Sequence, residues 1–320
     1  AGTLSMEMGL INTVKAGEEV LVLTQGYFGE RFVPLAKALG IVPDVLAAPA
    51  GERVRLADVE EKLKSKKYAA MTLTHVDTST GVMGQVAEVA ALAKKYDTLF
   101  ILDGVCASAG VPEPMQDYGI DVVITTSQKA FGTPPGLTIV AFNDKALARR
   151  EQLGTVAGYY ADWKNWLPIM DNPSLYFSTP PVNLIQALAK AVQIILDEGL
   201  AARYARHEKI ARSFRAGLKA LGLELVTAAD AVAPTLSVVK YPAGLDDAAF
   251  RTKMEEYGIV VAGGVGPLKG KIFRVGHMGN ICINELTLTL CALERSLTAL
   301  GIQVPPGAAV GAACAEWEKG

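Results

Sequence analysis

Lys129 stands just beyond an apolar run, in Asp121-Val122-Val123-Ile124-Thr125-Thr126-Ser127-Gln128-Lys129, and a rigid Pro134-Pro135-Gly136 turn follows. A lysine past a buried strand, with no acidic neighbour in sequence, is poorly placed as a solvated charge. Burial disfavours the ammonium form, and the neutral amine is what Schiff-base chemistry requires. Standing alone, the segment reads first as an exposed loop lysine. A second apolar run, Leu99-Phe100-Ile101-Leu102, ends in Asp103. That carboxylate either caps the next turn or faces a ligand. A third run leads into Thr74-His75-Val76-Asp77-Thr78-Ser79-Thr80-Gly81. Its hydroxyls and backbone N–H groups suit an oxygen-rich ligand or a self-capped polar turn. The fourth segment, Gly26-Tyr27-Phe28-Gly29, sets two aromatics between glycines. A flat ring there either lies on a flat ligand or packs in the core.

The elements that must position these residues alternate. Strand-like runs fall at Val20–Leu23, Ala69–His75, Leu99–Asp103, Val122–Thr126 and Leu137–Phe142, with helix-period segments at about Leu4–Val14, Phe32–Leu39, Val59–Lys66 and Val86–Tyr96. This pattern predicts an α/β fold, a mainly parallel sheet flanked by helices. Ligands of such sheets bind at the carboxyl ends of the strands, where all four segments converge. The second half differs. Helices are expected at Val182–Asp197 and Arg203–Leu221, a strand at Thr235–Val239, a helix at Asp247–Tyr257, a strand at Lys271–Val275 and a helix at Glu285–Leu300, with Asn284 as its N-cap and Gly301 as its stop. The division expected is a large domain over residues 1–199 and a smaller C-terminal α+β domain over 200–320. The tail after Pro305-Pro306 is expected to hold a short helix.

With 320 residues and a formal net charge of -2, no strong field draws the chain to nucleic acid or anionic lipid. No apolar stretch is long enough to span a bilayer. The four cysteines form no Cys-x-x-Cys pair and the three histidines are scattered, so neither a disulfide framework nor a metal site is expected. Ala1-Gly2-Thr3-Leu4 has no basic n-region of a signal peptide. The Glu318-Lys319-Gly320 terminus is not a peroxisomal signal, so a cytoplasmic location is the expectation.

Taken together, Asp103, Ser127-Gln128-Lys129, Pro134-Pro135-Gly136 and Thr78-Ser79-Thr80-Gly81 closely resemble the class V, fold type I pyridoxal-phosphate aminotransferases, in particular their alanine–glyoxylate, serine–pyruvate and serine–glyoxylate branch. The likeness covers nearly the whole chain. It implies a transaminase with pyridoxal 5'-phosphate as cofactor and small amino acids and 2-oxo acids as substrates. It makes Lys129 the Schiff-base lysine and Asp103 the partner of the pyridine nitrogen. It makes Phe28 the aromatic on the ring, Thr78 the hydroxyl on the ring's phenolic side and Gln128 a neighbour of the phosphate. Ala1, Gly2 and Thr3 match the phosphate loop. Tyr176 and Thr179 match residues that reach the phosphate of a neighbouring subunit, which implies a homodimer. Arg274 matches the arginine that holds the substrate carboxylate.

This chain departs from the family pattern in three places. The family carries a segment ahead of the phosphate loop, so the sequence is expected to be N-terminally incomplete. Asp77 stands where Glu is common, and Ala1 removes a hydroxyl from the phosphate cup. His277, near Arg274, is expected on a solvent-facing loop, with contact to a substrate side chain as the other possibility. Two rival readings remain: a class V lyase or desulfurase on the same scaffold, which needs a different acid or a mobile nucleophilic Cys, and a non-catalytic interaction module that keeps the fold.

Overall fold

In the computed structural model, which describes residues 1–319, the apolar runs of the first half become one sheet. Along the chain run α1 (Gly2–Ile11), β1 (Glu19–Thr24), the one-turn α2 (Tyr27–Glu30), α3 (Phe32–Ala38), β2 (Val42–Ala47), α4 (Leu56–Ser65) and β3 (Ala70–Thr74). A small hairpin follows, β4 (Val76–Asp77) and β5 (Val82–Met83), then α5 (Val86–Lys95), β6 (Leu99–Asp103), the one-turn α6 (Met115–Tyr118), β7 (Val122–Thr126) and β8 (Thr138–Phe142). Three helices lie beyond: α7 (Asp144–Gln152), α8 (Trp163–Asp171) and α9 (Val182–Glu198).

The strand order is β2-β1-β3-β6-β7-β8. Every pairing is parallel except β7 with β8. β3, β6 and β7 are buried along their whole length, as continuous apolar runs covered on both faces must be. Alternation of side chains sorts the strands into two cores. Leu21, Leu23, Met71, Leu73, Phe100 and Leu102 pack against Val59, Leu63, Val89 and Ala93 of α4 and α5. Val20, Val22, Ala70, Ile101 and Ile124 pack the other face against Met6 and Leu10 of α1, Phe32 and Trp163. From β1 the chain passes outward to β2 and then back to β3 on the opposite side. The carboxyl ends of β1 and β3 therefore flank a topological switch point, the place where sheets of this kind take their ligands.

The second half holds α10 (Leu200–Ala220), β9 (Leu236–Lys240), α11 (Asp247–Glu256), β10 (Ala262–Gly263), β11 (Ile272–Gly276), α12 (Ile283–Ala299) and α13 (Ala308–Trp317). β10, β11 and β9 form a second, antiparallel sheet. A separate core of Phe214, Leu218, Phe250, Phe273, Leu290 and Leu293 joins it to its helices. Gly199, at φ 82°, breaks the chain between α9 and α10.

Several expectations need correcting. The N-cap of α12 is Cys282, not Asn284: Glu285 reaches back to accept the Cys282 N–H at 2.8 Å, so the helix starts two residues early. β2 escaped notice because Pro43 and Asp44 interrupt it, and both are tolerated only because it is an edge strand. The helices α7 and α8 were not foreseen either. Gly320, the last residue of the terminus weighed as a targeting signal, lies outside the described residues. Among the described residues no helix is long and apolar enough to cross a membrane.

Candidate active site

Asp103 closes β6, and its side chain is buried. Its Oδ2 accepts the Thr74 hydroxyl at 3.2 Å and its Oδ1 accepts the Val105 N–H at 3.0 Å. Burial pushes its carboxyl up to about 6. These two hydrogen bonds oppose the rise, and the negative charges of Asp77 and Glu113 add to it. No basic side chain pairs with Asp103 among the described residues. A carboxylate whose ionisation burial disfavours in this way is stabilised by a cation placed beside it. A protonated pyridine nitrogen is such a cation.

Lys129 is half-buried, three residues past the end of β7. The loop that carries it is tied at several points. The Ser127 hydroxyl donates to Pro134 O at 2.9 Å, the Thr133 hydroxyl donates to Ser127 O at 2.8 Å, and Gly132 N–H donates to Lys129 O at 2.9 Å. Its amine has no hydrogen bond or ion pair among the described residues. The charges of Lys129 and Asp103 converge on one group, the thiol of Cys106. Burial holds that thiol protonated, up to about 12, with Thr78 as its hydroxyl neighbour.

Arg274 arrives from the second sheet. On β11, its Nε donates to Gly263 O at 2.9 Å and one terminal nitrogen reaches Thr78 O at 3.4 Å. Burial lowers its pKa, and the charges of Cys106 and Asp77 oppose that fall. It has no carboxylate partner among the described residues, so its fork is open to a ligand carboxylate.

Across the switch point, Phe28 sits in α2 with the Arg31 guanidinium 4.9 Å from its ring. Arg31 also donates to the Thr3 hydroxyl at 3.2 Å, which joins the aromatic to the start of α1. α1 has no side-chain cap, so its first N–H groups are open to an anion. Thr126 lies beneath Gly2, and its buried hydroxyl has no partner, nor has the Gln128 Oε1. Unpaired buried polar atoms beside an uncapped helix start, together with a buried acid awaiting a cation, fit a phosphorylated pyridine. Among the described residues no group of three or more metal-binding side chains occurs.

Lys129, Asp103, Thr78 and Arg274 are thus linked through shared partners, and Phe28 joins Thr3 through Arg31. Tyr176 and Thr179 stand apart. They lie between α8 and α9, bonded to each other at 3.1 Å, with Tyr176 77% exposed. His277 is neither solvent-facing nor turned to a ligand. It is buried, bonded to Pro234 O and the Ser237 hydroxyl, and burial lowers its pKa to about 3. Sequence reasoning missed Arg31, Arg203 and the buried His75–Glu113–Ser108 chain behind Asp103. Their partners lie far off or carry no motif; only Gly29-Glu30-Arg31, next to the flagged aromatics, offered a signal.

Comparison with known proteins matches residues 2–270 to the family described as Aminotransferase class-V. An uncharacterized aminotransferase of Methanocaldococcus jannaschii is 37% identical over 306 residues, 95% of this chain and 80% of that protein. Alanine–glyoxylate aminotransferase 1 of Saccharomyces cerevisiae is 34% identical over 89% of this chain and 78% of its own length. Among solved structures, the ureidoglycine–glyoxylate aminotransferase of Bacillus subtilis superposes with a TM-score of 0.96 at 26% identity, covering 99% of this chain and 83% of that one.

Proposed function

This chain belongs to the class-V aminotransferases, and from that premise we propose that it uses pyridoxal 5'-phosphate to move the amino group of a small amino acid, alanine or serine, to a 2-oxo acid such as glyoxylate or pyruvate. It is a transaminase. The observation that carries the cofactor reading is an unpartnered amine, Lys129, and a buried acid without a basic partner, Asp103, whose charges both reach the Cys106 thiol.

When bound, the cofactor supplies an electrophilic carbonyl carbon and a ring that takes up the electrons released at the substrate Cα. Asp103 holds a proton on the ring nitrogen. The Lys129 amine would hold the cofactor at that carbonyl carbon and, when free, would serve as the base for the Cα proton. Arg274 meets the substrate carboxylate in two parallel hydrogen bonds and orients the Cα–H. The uncapped N–H groups around Ala1, Gly2 and Thr3, with Gln128, bind the phosphate. Phe28 would lie against the ring face and the Thr78 hydroxyl would meet the ring's phenolic oxygen. Tyr176 and Thr179 reach the phosphate of a second copy in a homodimer, a role supported by their exposure away from this chain's own crevice. Residues 1–199 form the cofactor-binding domain and 200–320 the smaller one, a division supported by the break at Gly199 and the separate core.

The test is turnover. Purified chain loaded with cofactor is expected to show a visible absorbance band that bleaches on L-alanine or L-serine and returns on glyoxylate. Lys129→Ala is expected to lose the band's lysine-dependent form and at least about 10³-fold in turnover. Normal turnover in that variant would sink the assignment. Release of sulfide from cysteine would favour a desulfurase, but that chemistry needs a thiolate, and burial keeps Cys106 protonated.

A further inference from the structure

Asp77 is completely buried at the end of β4. No basic side chain bonds its carboxylate among the described residues. Its partners are donors of another kind. Oδ2 accepts the backbone N–H groups of Phe28 and Gly29, at 3.0 and 2.9 Å. Oδ1 accepts the N–H and the hydroxyl of Ser79, at 2.9 and 2.6 Å. The Ser79 oxygen in turn accepts the Tyr27 N–H at 2.9 Å. The first three N–H groups of α2 are therefore all capped by residues about 50 positions away.

A single helical turn of four residues cannot sustain itself, because nucleation fixes several residues for one hydrogen bond. The usual remedy is a side chain at the N-cap. That position is Gly26, and the space is already filled. A Cβ there would stand 2.4 Å from the Ser79 hydroxyl oxygen and 2.7 Å from the Asp77 carboxyl carbon. The cap has been moved to the facing strand end, and with it the control of where Phe28 points. A carboxylate is the strongest acceptor available for that job, since it meets the positive end of the turn as well as its N–H groups.

We propose that Asp77 is the positioning residue of the cofactor's stacking aromatic: its carboxylate caps α2 across the crevice and thereby fixes the Phe28 ring against the pyridine face. This inference rests on the reading of Phe28 as the aromatic that lies on the cofactor. The cap itself does not depend on that reading.

Two variants and two measurements test it on the full chain. Asp77→Asn removes the charge and one acceptor and turns an NH₂ group toward N–H donors. Gly26→Ala keeps the carboxylate but drives a methyl into it; its backbone is extended, so the effect is steric. Amide hydrogen exchange on the cofactor-free protein reads the cap directly. Exchange at Phe28 and Gly29 is expected to quicken about tenfold or more in both variants, as for lost buried hydrogen bonds. Visible circular dichroism per bound cofactor reads the ring's placement. Its amplitude is expected to fall in both variants, with cofactor affinity about tenfold weaker, while Phe28→Leu changes the dichroism without quickening exchange at Gly29. Unchanged exchange and unchanged dichroism in Asp77→Asn and Gly26→Ala, with wild-type protein binding cofactor normally, would overturn the proposal alone. A wild-type chain that takes up no pyridoxal phosphate would instead sink the reading of the site beneath it. If Asp77→Asn fails to fold, Gly26→Ala decides.

Discussion

Asp103 works against the stability of the cofactor-free chain that holds it. Its folded-state pKa, pushed up to about 6, lies above the value an unfolded Asp shows. Below about pH 4 both states carry the proton and the residue is neutral to stability. As pH climbs toward 6, the unfolded chain gives up its proton first, and unfolding gains. Above the folded value the full cost is present, of the order of 3 kcal/mol for a displacement of this size. Asp103→Asn cannot ionise and keeps an acceptor for Val105 and a donor for Thr74. It is therefore expected to stabilise the cofactor-free chain at pH 8 by roughly 2–3 kcal/mol and to do little at pH 4, while abolishing transamination. Urea melts at the two pH values check this; equal effects at both would remove burial as the cause. The places of Asp103 and Lys129 at the carboxyl ends of β6 and β7 were legible in the sequence because one ends an apolar run and the other follows one. Asp77 was visible only as a departure from the family's Glu, since its bonds run to Phe28 and Gly29 on another strand's turn.

Elements were legible by period, and their buried polar contacts were not. The periodic pattern gave a helix at Arg203–Leu221, and α10 occupies Leu200–Ala220. Nothing in the pattern tells that Arg203, which reads as a solvated charge, is wholly buried. Its Nε donates to Ala109 O at 2.7 Å and one terminal nitrogen to Ala130 O at 2.6 Å, directly after Lys129. The other meets Glu198 at 2.8 Å and Asn280 at 3.1 Å. His207, one turn on, accepts the Gly279 N–H at 3.0 Å. The opening of α10 thus holds the lysine loop, the segment after β6 and the loop after β11 in one arrangement. Breaking it leaves two buried carbonyls without donors. Arg203→Met is expected to cost about 3–5 kcal/mol, with faster amide exchange at Gly132 and Thr133. Arg203→Lys, which keeps the charge but only a single donating head, is expected to lose less. If both variants unfold at the wild-type urea midpoint, α10 does not brace the lysine loop.

At the scale of the whole molecule, α9 is the element the chain leaves unfinished. It has 17 residues and buries only Ala191 and Ile195. Val182, Ile185 and Leu196 are 51%, 45% and 59% exposed, and with Ala189 they share one helical face. Met170, Leu175 and Tyr176, on the stretch leading into α9, are at least half exposed too. An apolar surface of this extent supports the proposed contact with a second copy, and Tyr176 and Thr179 are the residues that the family resemblance sends to a neighbour's phosphate. The homodimer proposed above therefore makes a specific prediction. Wild-type protein is expected to sediment as a dimer at micromolar concentration. Ile185→Glu with Leu196→Glu is expected to sediment as a monomer, since each buries a charge without a partner in the interface. In the isolated subunit both side chains already face water, so neither change disturbs the monomer's own core. The variant's stability is then expected to lose its dependence on protein concentration, which a dimer must show, and its cofactor to dissociate faster as the neighbour's Tyr176 and Thr179 withdraw. A wild-type chain that sediments as a monomer while holding its cofactor tightly would mean that these two residues serve no partner.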